Sequence, residues 1–344
     1  SVVMGALRAA GFVALCAVVG FWILPPATPL LASTPLGNIL KVPAFSATDM
    51  PDMRGKVVII TGANTGLGYS SARELYRHNA QVVMAVRSVS RGREAADQIR
   101  HEVTASEFGS LTVLELELSS LKSVRNFADT FMKRFNSLDV LMLNAGVMGT
   151  PFTLSTDGIE LQFATNHVGH WLLADLLMPL LKATAPSRIV VLSSSAHHRV
   201  STVPLTLSDV NDKSTYSPFS AYQRSKLANL LMTKHWAKQL EGTGVTINAV
   251  HPGLVHTEIL RGLQQSFGSL LTNMVAKVVF LMAYHSDDAV WTQLGAAASP
   301  TIPGVQGKYY GPIFREFPIA PPAFNATLAQ ALDDFTRDLV TQHQ

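Results

Sequence analysis

The chain has 344 residues, 47% hydrophobic and only 15% charged, with a formal net charge of +3. That length holds one large domain or two modest ones, and that composition buries a sizeable core and allows contact with lipid. There is no basic run and no basic patch interleaved with aromatics, which excludes a nucleic-acid binder; the single cysteine, Cys16, excludes an intrachain disulfide, a cysteine-based zinc site and a thiol nucleophile in the folded part.

Residues 2–31 carry one charge, Arg8, and residues 9–24 form an unbroken apolar run closed by Pro25-Pro26. A full span needs roughly 20 residues, so this run crosses a bilayer only with help from 2–7 or from Leu30-Leu31. The expectation is a membrane-anchor helix over 1–31, which makes lipid a partner. A cleavable signal and an apolar helix docked on subunits of a membrane complex are the alternatives. Residues 32–52 have no helical or strand period and read as a linker. A folded domain over 53–320 and a C-terminal extension over 321–344 follow.

From there strands and helices alternate. Strands are predicted over 56–61, 81–86, 111–117, 139–143, 188–192 and 245–250, and helices over 67–78, 90–105, 120–135, 158–182 and 219–240. The pattern predicts an α/β fold, a doubly wound Rossmann-like parallel sheet in a single domain. Residues 260–283 are strongly apolar and fit either a core helix or a lid over an apolar substrate pocket. Residues 287–298 look helical, 307–310 look like a short last strand, and 335–340 look like a terminal helix.

The first strand ends in a glycine turn, Gly62 to Gly68. Gly62 lets the backbone turn sharply. Gly66 and Gly68 remove side chains where a phosphate must come close and where the helix must pack on the strand. The helix start then faces an anion, as in a dinucleotide pyrophosphate site. Strand four ends in Asn144-Ala145-Gly146, small residues that admit a cofactor.

Tyr222 and Lys226 stand four apart on a predicted helix and so share one face. A phenol ordinarily titrates near 10, and an ammonium one turn away is expected to lower that value and fit the phenol for proton transfer. Strand five ends in Ser193-Ser194-Ser195, and ligands of such sheets bind at the carboxyl ends of strands. A serine hydroxyl there can hydrogen-bond a carbonyl oxygen. Asn166 lies inside an apolar helix and needs a partner: a backbone carbonyl, or an ordered water beside Lys226.

The glycine turn TGANTGLG, Asn144-Ala145-Gly146, the segment NHVGH from Asn166, the strand-five serines, Tyr222-xxx-Lys226 and His251-Pro252-Gly253-xxx-Thr257 occur in the order found in the short-chain dehydrogenase/reductase family. The chain resembles that family over about 53–310. Its segments NHVGHW, SSSAHH and AYQRSKLAN are most similar to the membrane-associated retinol dehydrogenase branch. The resemblance implies reversible hydride transfer between NADP(H) or NAD(H) and an apolar carbonyl or alcohol such as a retinoid, steroid or lipid aldehyde. It implies that Tyr222 is the acid/base and that Lys226 tunes it and binds the nicotinamide ribose. Ser194 would orient the substrate carbonyl, with Ser195 as the register alternative, and Asn166 would hold a relay water. It also implies cofactor contacts at Gly62, Asn64, Thr65, Gly66, Leu67, Gly68, Ala145, Pro252, Gly253, Val255 and Thr257, the last on the carboxamide. The implied location is a membrane, the endoplasmic reticulum first, with mitochondrial or plastid membranes as alternatives.

An acidic residue at the end of strand two would select NAD. Here Arg87 stands there with Arg91 and Arg93 nearby, and a guanidinium suits a 2′-phosphate, so NADP(H) is expected. Strand three departs from the family: its end reads Glu117-Leu118 instead of starting with Asp, setting a longer carboxylate against the adenine amine. The histidines at 167, 170, 197, 198, 251 and 256 sit on different elements without a carboxylate cluster, so no metal site is expected. His197 and His198 are expected to line the substrate mouth or face solvent. An accessory nucleotide-binding subunit of a membrane complex is the alternative to an enzyme.

Overall fold

The computed structural model describes residues 44–104, 107, 109–253, 255 and 285–343. The expected anchor over 1–31, the apolar segment 260–283 and Thr257 lie outside the described residues. Among the described residues no helix is long and apolar enough to cross a membrane.

Strands β1 (Val57–Thr61), β2 (Gln81–Val86), β3 (Ser110–Glu115), β4 (Val140–Leu143), β5 (Ser187–Leu192), β6 (Val245–Val250), β7 (Tyr309–Gly311) and β8 (Arg315–Glu316) form one sheet. Its order is β3-β2-β1-β4-β5-β6-β7-β8. Strands β1 to β7 pair in parallel, and β8 turns back antiparallel on β7. The chain leaves β1 toward β2 and β3, then returns to lay β4 against the other side of β1. That reversal opens a crevice at the carboxyl ends of β1 and β4, where open α/β sheets bind ligands.

Alternate residues of β1 serve the two faces. Val57 and Ile59 pack with α3 (Leu121–Arg134), α4 (Gly169–Ala183), α5 (Pro218–Gln239) and α7 (Ala326–Gln342). Val58 and Ile60 pack with α1 (Gly66–Arg77), α2 (Val89–Glu102) and α6 (Ser286–Ala298). Every side chain of β1 is buried, which is why the strand reads as a continuous β-branched run.

Three expectations shift. The helix expected over 158–182 begins as a short turn, Leu161–Phe163, passes through one π turn, Ala164–Val168, and only then becomes α4. β3 ends at Glu115, so Glu117 and Leu118 stand in the loop beyond it. The terminal helix is far longer than 335–340. It spans Ala326–Gln342, packs Ala329, Leu332, Leu339 and Val340 into the core, and fixes Asp333 to the indoles of Trp171 and Trp236 at 2.7 and 2.8 Å. Residues 44–52, at the end of the expected linker, are docked as well: Phe45 is buried and meets Phe314 edge-on at 5.9 Å. The hairpin partner β8 was not foreseen, because two exposed charged residues have no apolar period to read.

Candidate active site

The glycine turn takes the form its residues require. Gly62 and Gly66 adopt φ of +68° and +53°, a region L side chains avoid. A Cβ on Gly68 would collide with the Gly62 carbonyl and lie 2.7 Å from Asn144 Nδ2, so only glycine brings α1 this close to β1. Thr65 precedes the helix in extended backbone, exposed, with no cap bond from its side chain. Asn64 is half-buried in the turn and Leu67 is buried. This bare cradle at a helix N-terminus suits a pyrophosphate.

The β4 end is tied to the β1 end. Thr61 Oγ1 accepts the amides of Asn144 and Ala145, both at 2.9 Å, and Asn144 Nδ2 donates to the Thr61 carbonyl at 2.8 Å. His170 completes the tie from α4. Its Nδ1–H donates to the Asn166 carbonyl at 3.1 Å, which leaves Nε2 to accept the Thr61 hydroxyl at 2.9 Å. Burial holds that imidazole neutral and pushes it down to about 3. Gln293 reaches the same knot from α6, donating to Ser71 Oγ and the Leu67 carbonyl. Thr61 and His170 stand in the segments TGANTGLG and NHVGH, but nothing in the sequence pairs them, and Gln293 had no signal beyond a polar residue in apolar surroundings.

Asn166 sits in the π turn, fully buried. Its side chain clamps the loop after β4: Oδ1 accepts the Val147 amide at 2.8 Å, while Nδ2 donates to the Val147 carbonyl at 2.9 Å and to Ser225 Oγ at 3.0 Å. The backbone carbonyl expected as a partner is that of Val147. A Cβ on Gly146 would lie 3.3 Å from Asn166 Oδ1 and 3.6 Å from Lys226 Nζ, so the expected loop glycine, asparagine and lysine do come together.

Pro218 at the first turn starts α5, which carries Tyr222 and Lys226 on one buried face. The Ser194 side chain faces the Tyr222 hydroxyl closely enough to favour its ionised form. Ser194 Oγ also accepts the Ala196 amide at 3.2 Å, capping the short turn Ser195–Arg199. Ser193 is used elsewhere, donating to the Lys226 carbonyl at 2.8 Å, and Ser195 is buried within the turn. Of the three serines, Ser194 is the one set beside the Tyr222 hydroxyl. Lys226 Nζ lies 5.5 Å from the centre of the Tyr222 ring and donates to the Leu192 carbonyl at 3.0 Å.

The expected lowering of the phenol is not what these surroundings produce. Burial pushes Tyr222 up to about 12, and the nearby Ser194 side chain offsets only part of that. The Lys226 ammonium stands 5.5 Å from the ring centre and is bound to a carbonyl, and it is the burial of the phenol that decides the direction. Lys226, also buried, is pushed down to about 8.

At the adenine end, Arg87 is exposed just beyond β2, and its Nε lies 3.6 Å from Glu117 Oε2. Glu117 Oε1 accepts from the Ser119 hydroxyl at 2.8 Å. Leu118 is buried, and its carbonyl abuts Gly169, where any Cβ would collide with it. Beyond β6, Gly253 turns at φ +94° and donates to His251 Nδ1 at 3.3 Å, with Pro252 and Val255 buried beside it. His197, expected at the mouth or in solvent, is instead completely buried. Among the described residues no three His, Cys, Asp or Glu side chains converge as a metal would need.

Comparison with known proteins agrees with this geometry. The family model described as short chain dehydrogenase matches residues 56–266. The chain is 40% identical over 296 residues to retinol dehydrogenase 14 of Mus musculus, covering 84% of this chain and 86% of that one. It is 40% identical over 286 residues to retinol dehydrogenase 12 of Homo sapiens, covering 83% and 86%. A crystal structure of an uncharacterized protein from Mycobacterium paratuberculosis superposes with a TM-score of 0.66 at 34% identity, over 86% of this chain and 97% of that one. The chain belongs to the short chain dehydrogenase family, on its retinol dehydrogenase branch.

Proposed function

We propose that this protein is an NADP(H)-dependent oxidoreductase acting on an apolar carbonyl or alcohol of the retinoid, steroid or lipid-aldehyde kind. The observation that carries the reading is the placing of the Ser194 side chain by the Tyr222 hydroxyl at the carboxyl edge of the sheet, with Lys226 buried one turn behind, its Nζ 5.5 Å from the centre of the phenol ring. A nicotinamide dinucleotide, held by the glycine turn of Gly62, Asn64, Thr65, Gly66, Leu67 and Gly68 and by Asn144, Ala145, Gly146, Pro252, Gly253, Val255 and Thr257, would supply the hydride. Ser194 donates a hydrogen bond to the substrate oxygen and so stabilises charge that develops there. Tyr222 delivers a proton to that oxygen. A phenol is protonated at neutral pH and so can serve as the proton donor in the reductive direction. Lys226 places a cation behind the phenol, and Asn166 keeps the loop of Gly146 and Val147 in register with it.

Arg87, exposed at the end of β2, supports NADP(H), since its guanidinium can pair with a 2′-phosphate. The relatives named as retinol dehydrogenases support a retinoid-like substrate. The apolar residues 1–31 support a membrane anchor, the endoplasmic reticulum being our first choice. Docking on subunits of a membrane complex comes second, because the assembled Ser194–Tyr222–Lys226 set argues for turnover. The test is NADPH-dependent reduction of all-trans-retinal, a steroid ketone and a long-chain aldehyde by wild type and Tyr222→Phe. Loss of the phenolic proton should lower kcat by about 10²- to 10⁴-fold while NADPH still binds. Equal turnover by the two proteins sinks the reading.

A further inference from the structure

The segment His197-His198 joins two parts of the chain that are distant in sequence. The Ala320 amide donates to His197 Nε2 at 3.1 Å, so that nitrogen carries no proton. The proton of the neutral ring is therefore on Nδ1, which donates to the Ser194 carbonyl at 2.6 Å. His198 grips the same strap: its Nε2 donates to the Pro318 carbonyl at 3.2 Å. The His197 ring is fully buried and meets the Tyr309 ring edge-on at 5.3 Å. The strap itself has little freedom. Phe317 hydrogen-bonds β7 through its amide, and α7, rooted in the core, begins at Ala326.

We propose that His197 is a positioning residue for the reaction, transmitting the position of the strap 317–320 to Ser194 and so fixing the Ser194 hydroxyl against Tyr222. The proposal rests on the reading of Ser194 as the group that orients the substrate oxygen. The logic is geometric. The Ser194 hydroxyl must hold one place while it accepts from Ala196 and faces Tyr222; Ser193 ties one side of that loop to the Lys226 carbonyl, and the side from Ser194 to Ala196 is small residues without bulk. A buried imidazole with one nitrogen on that loop and the other on a rigid strap supplies the missing constraint. Both ring nitrogens are occupied, so the ring cannot flip without losing both bonds.

The experiment compares Ser194→Ala, His197→Phe, the double variant and His197→Asn, with NADPH and all-trans-retinal. Phe keeps the ring packing on Tyr309 and removes both nitrogens; Asn keeps an N–H at the Nδ1 position. Ser194→Ala should lose on the order of 10²-fold in kcat, the loss seen when one such donor is removed. His197→Phe should lose on the order of tenfold in kcat, with KM for NADPH unchanged, since a small misplacement suffices. Residues acting through one another are not additive, so the double variant should match Ser194→Ala alone, and His197→Asn should recover most of the wild-type rate. A double variant as slow as the product of the single losses overturns the proposal, as does a His197→Asn no better than His197→Phe. Should Ser194→Ala turn over like wild type, it is the site reading that fails. The clasp is then judged on a crystal structure of His197→Asn and His197→Phe. Ser194 displaced from Tyr222 only in the Phe variant upholds it, and Ser194 unmoved in both overturns it.

Discussion

Lys226 Nζ and Asn229 Nδ2 share one acceptor, donating to the Leu192 carbonyl from 3.0 and 3.1 Å. Asn229 is itself held from behind, its Oδ1 lying 3.2 Å from His167 Nδ1, and His167 Nε2 lies 3.3 Å from Thr336 Oγ1 on the C-terminal helix. A chain of buried polar contacts thus runs from α7 to the carbonyl that holds the lysine.

Asn229→Leu should therefore act at two places. It leaves the His167 Nδ1–H without a partner in a dry core, which costs about 1–3 kcal/mol. It also leaves Lys226 as the only side-chain donor on the Leu192 carbonyl. The expected outcome is a lower urea midpoint with an unchanged slope, and a reduced kcat in the folded protein. A variant as stable as wild type would show that the contact with His167 contributes nothing.

Acid should unfold this protein early. Burial pushes His167 down to about 4, and His170, His197 and His251 down to about 3, each from an ordinary value of 6.5. Between those values the unfolded chain takes up protons that the folded chain refuses. Stability is therefore whole above pH 6.5 and is lost as pH falls toward 3. Each group should give up about 1.4 kcal/mol by pH 5.5. Urea unfolding at pH 7.5, 6.5 and 5.5 checks this, and His170→Gln should flatten the slope by one proton. A midpoint that does not move between pH 7.5 and 5.5 contradicts the burial assigned to these rings.

Gly68→Ala tests the cradle. Its new Cβ would meet the Gly62 carbonyl, which is backbone and cannot swing aside. Either α1 moves off β1 or the turn opens, and in both cases the amides at the helix start lose their aim. NADPH titrated by fluorescence should bind at least tenfold more weakly, with Tm lowered as well. Gly158→Ala serves as the control for left-handed backbone alone, because φ there is +70° but nothing lies within 4 Å of its Cβ position. It should cost stability and leave NADPH affinity intact.

Legibility in the sequence followed local pattern. The alternation of strands and helices, the glycine turn and the one-turn spacing of Tyr222 and Lys226 are all set by near neighbours, and the sheet has the predicted parallel form. What the sequence hid depends on distant partners. The π turn at Ala164–Val168 looks like plain helix to any periodicity. Thr61, His170 and His197 find their partners 83, 109 and 123 residues away, and only the fold brings these together. The direction of the Tyr222 shift is hidden for a related reason: spacing shows that an ammonium is near, whereas burial, which sets the direction, is a property of the whole core.

The Arg87–Glu117 pair makes cofactor choice testable from both sides. Nε and Oε2 are 3.6 Å apart, and the arginine side chain is 69% exposed, so the pair itself adds little to stability. Its consequence lies in the field at the end of β2. A 2′-phosphate bound to Arg87 would sit close to the Glu117 carboxylate, and like charges oppose each other there. Arg87→Ala should therefore lower kcat/KM with NADPH by about tenfold or more and leave NADH nearly unchanged, since a charge-assisted bond contributes about 1.5–3 kcal/mol. Glu117→Gln should move the other way, strengthening NADPH binding, and this gain should shrink as salt rises from 50 to 500 mM in the assay. If Arg87→Ala weakens both dinucleotides alike, the guanidinium is not reading the phosphate. If Glu117→Gln weakens NADPH, the carboxylate serves to aim Arg87, and its repulsion of the phosphate is the lesser effect.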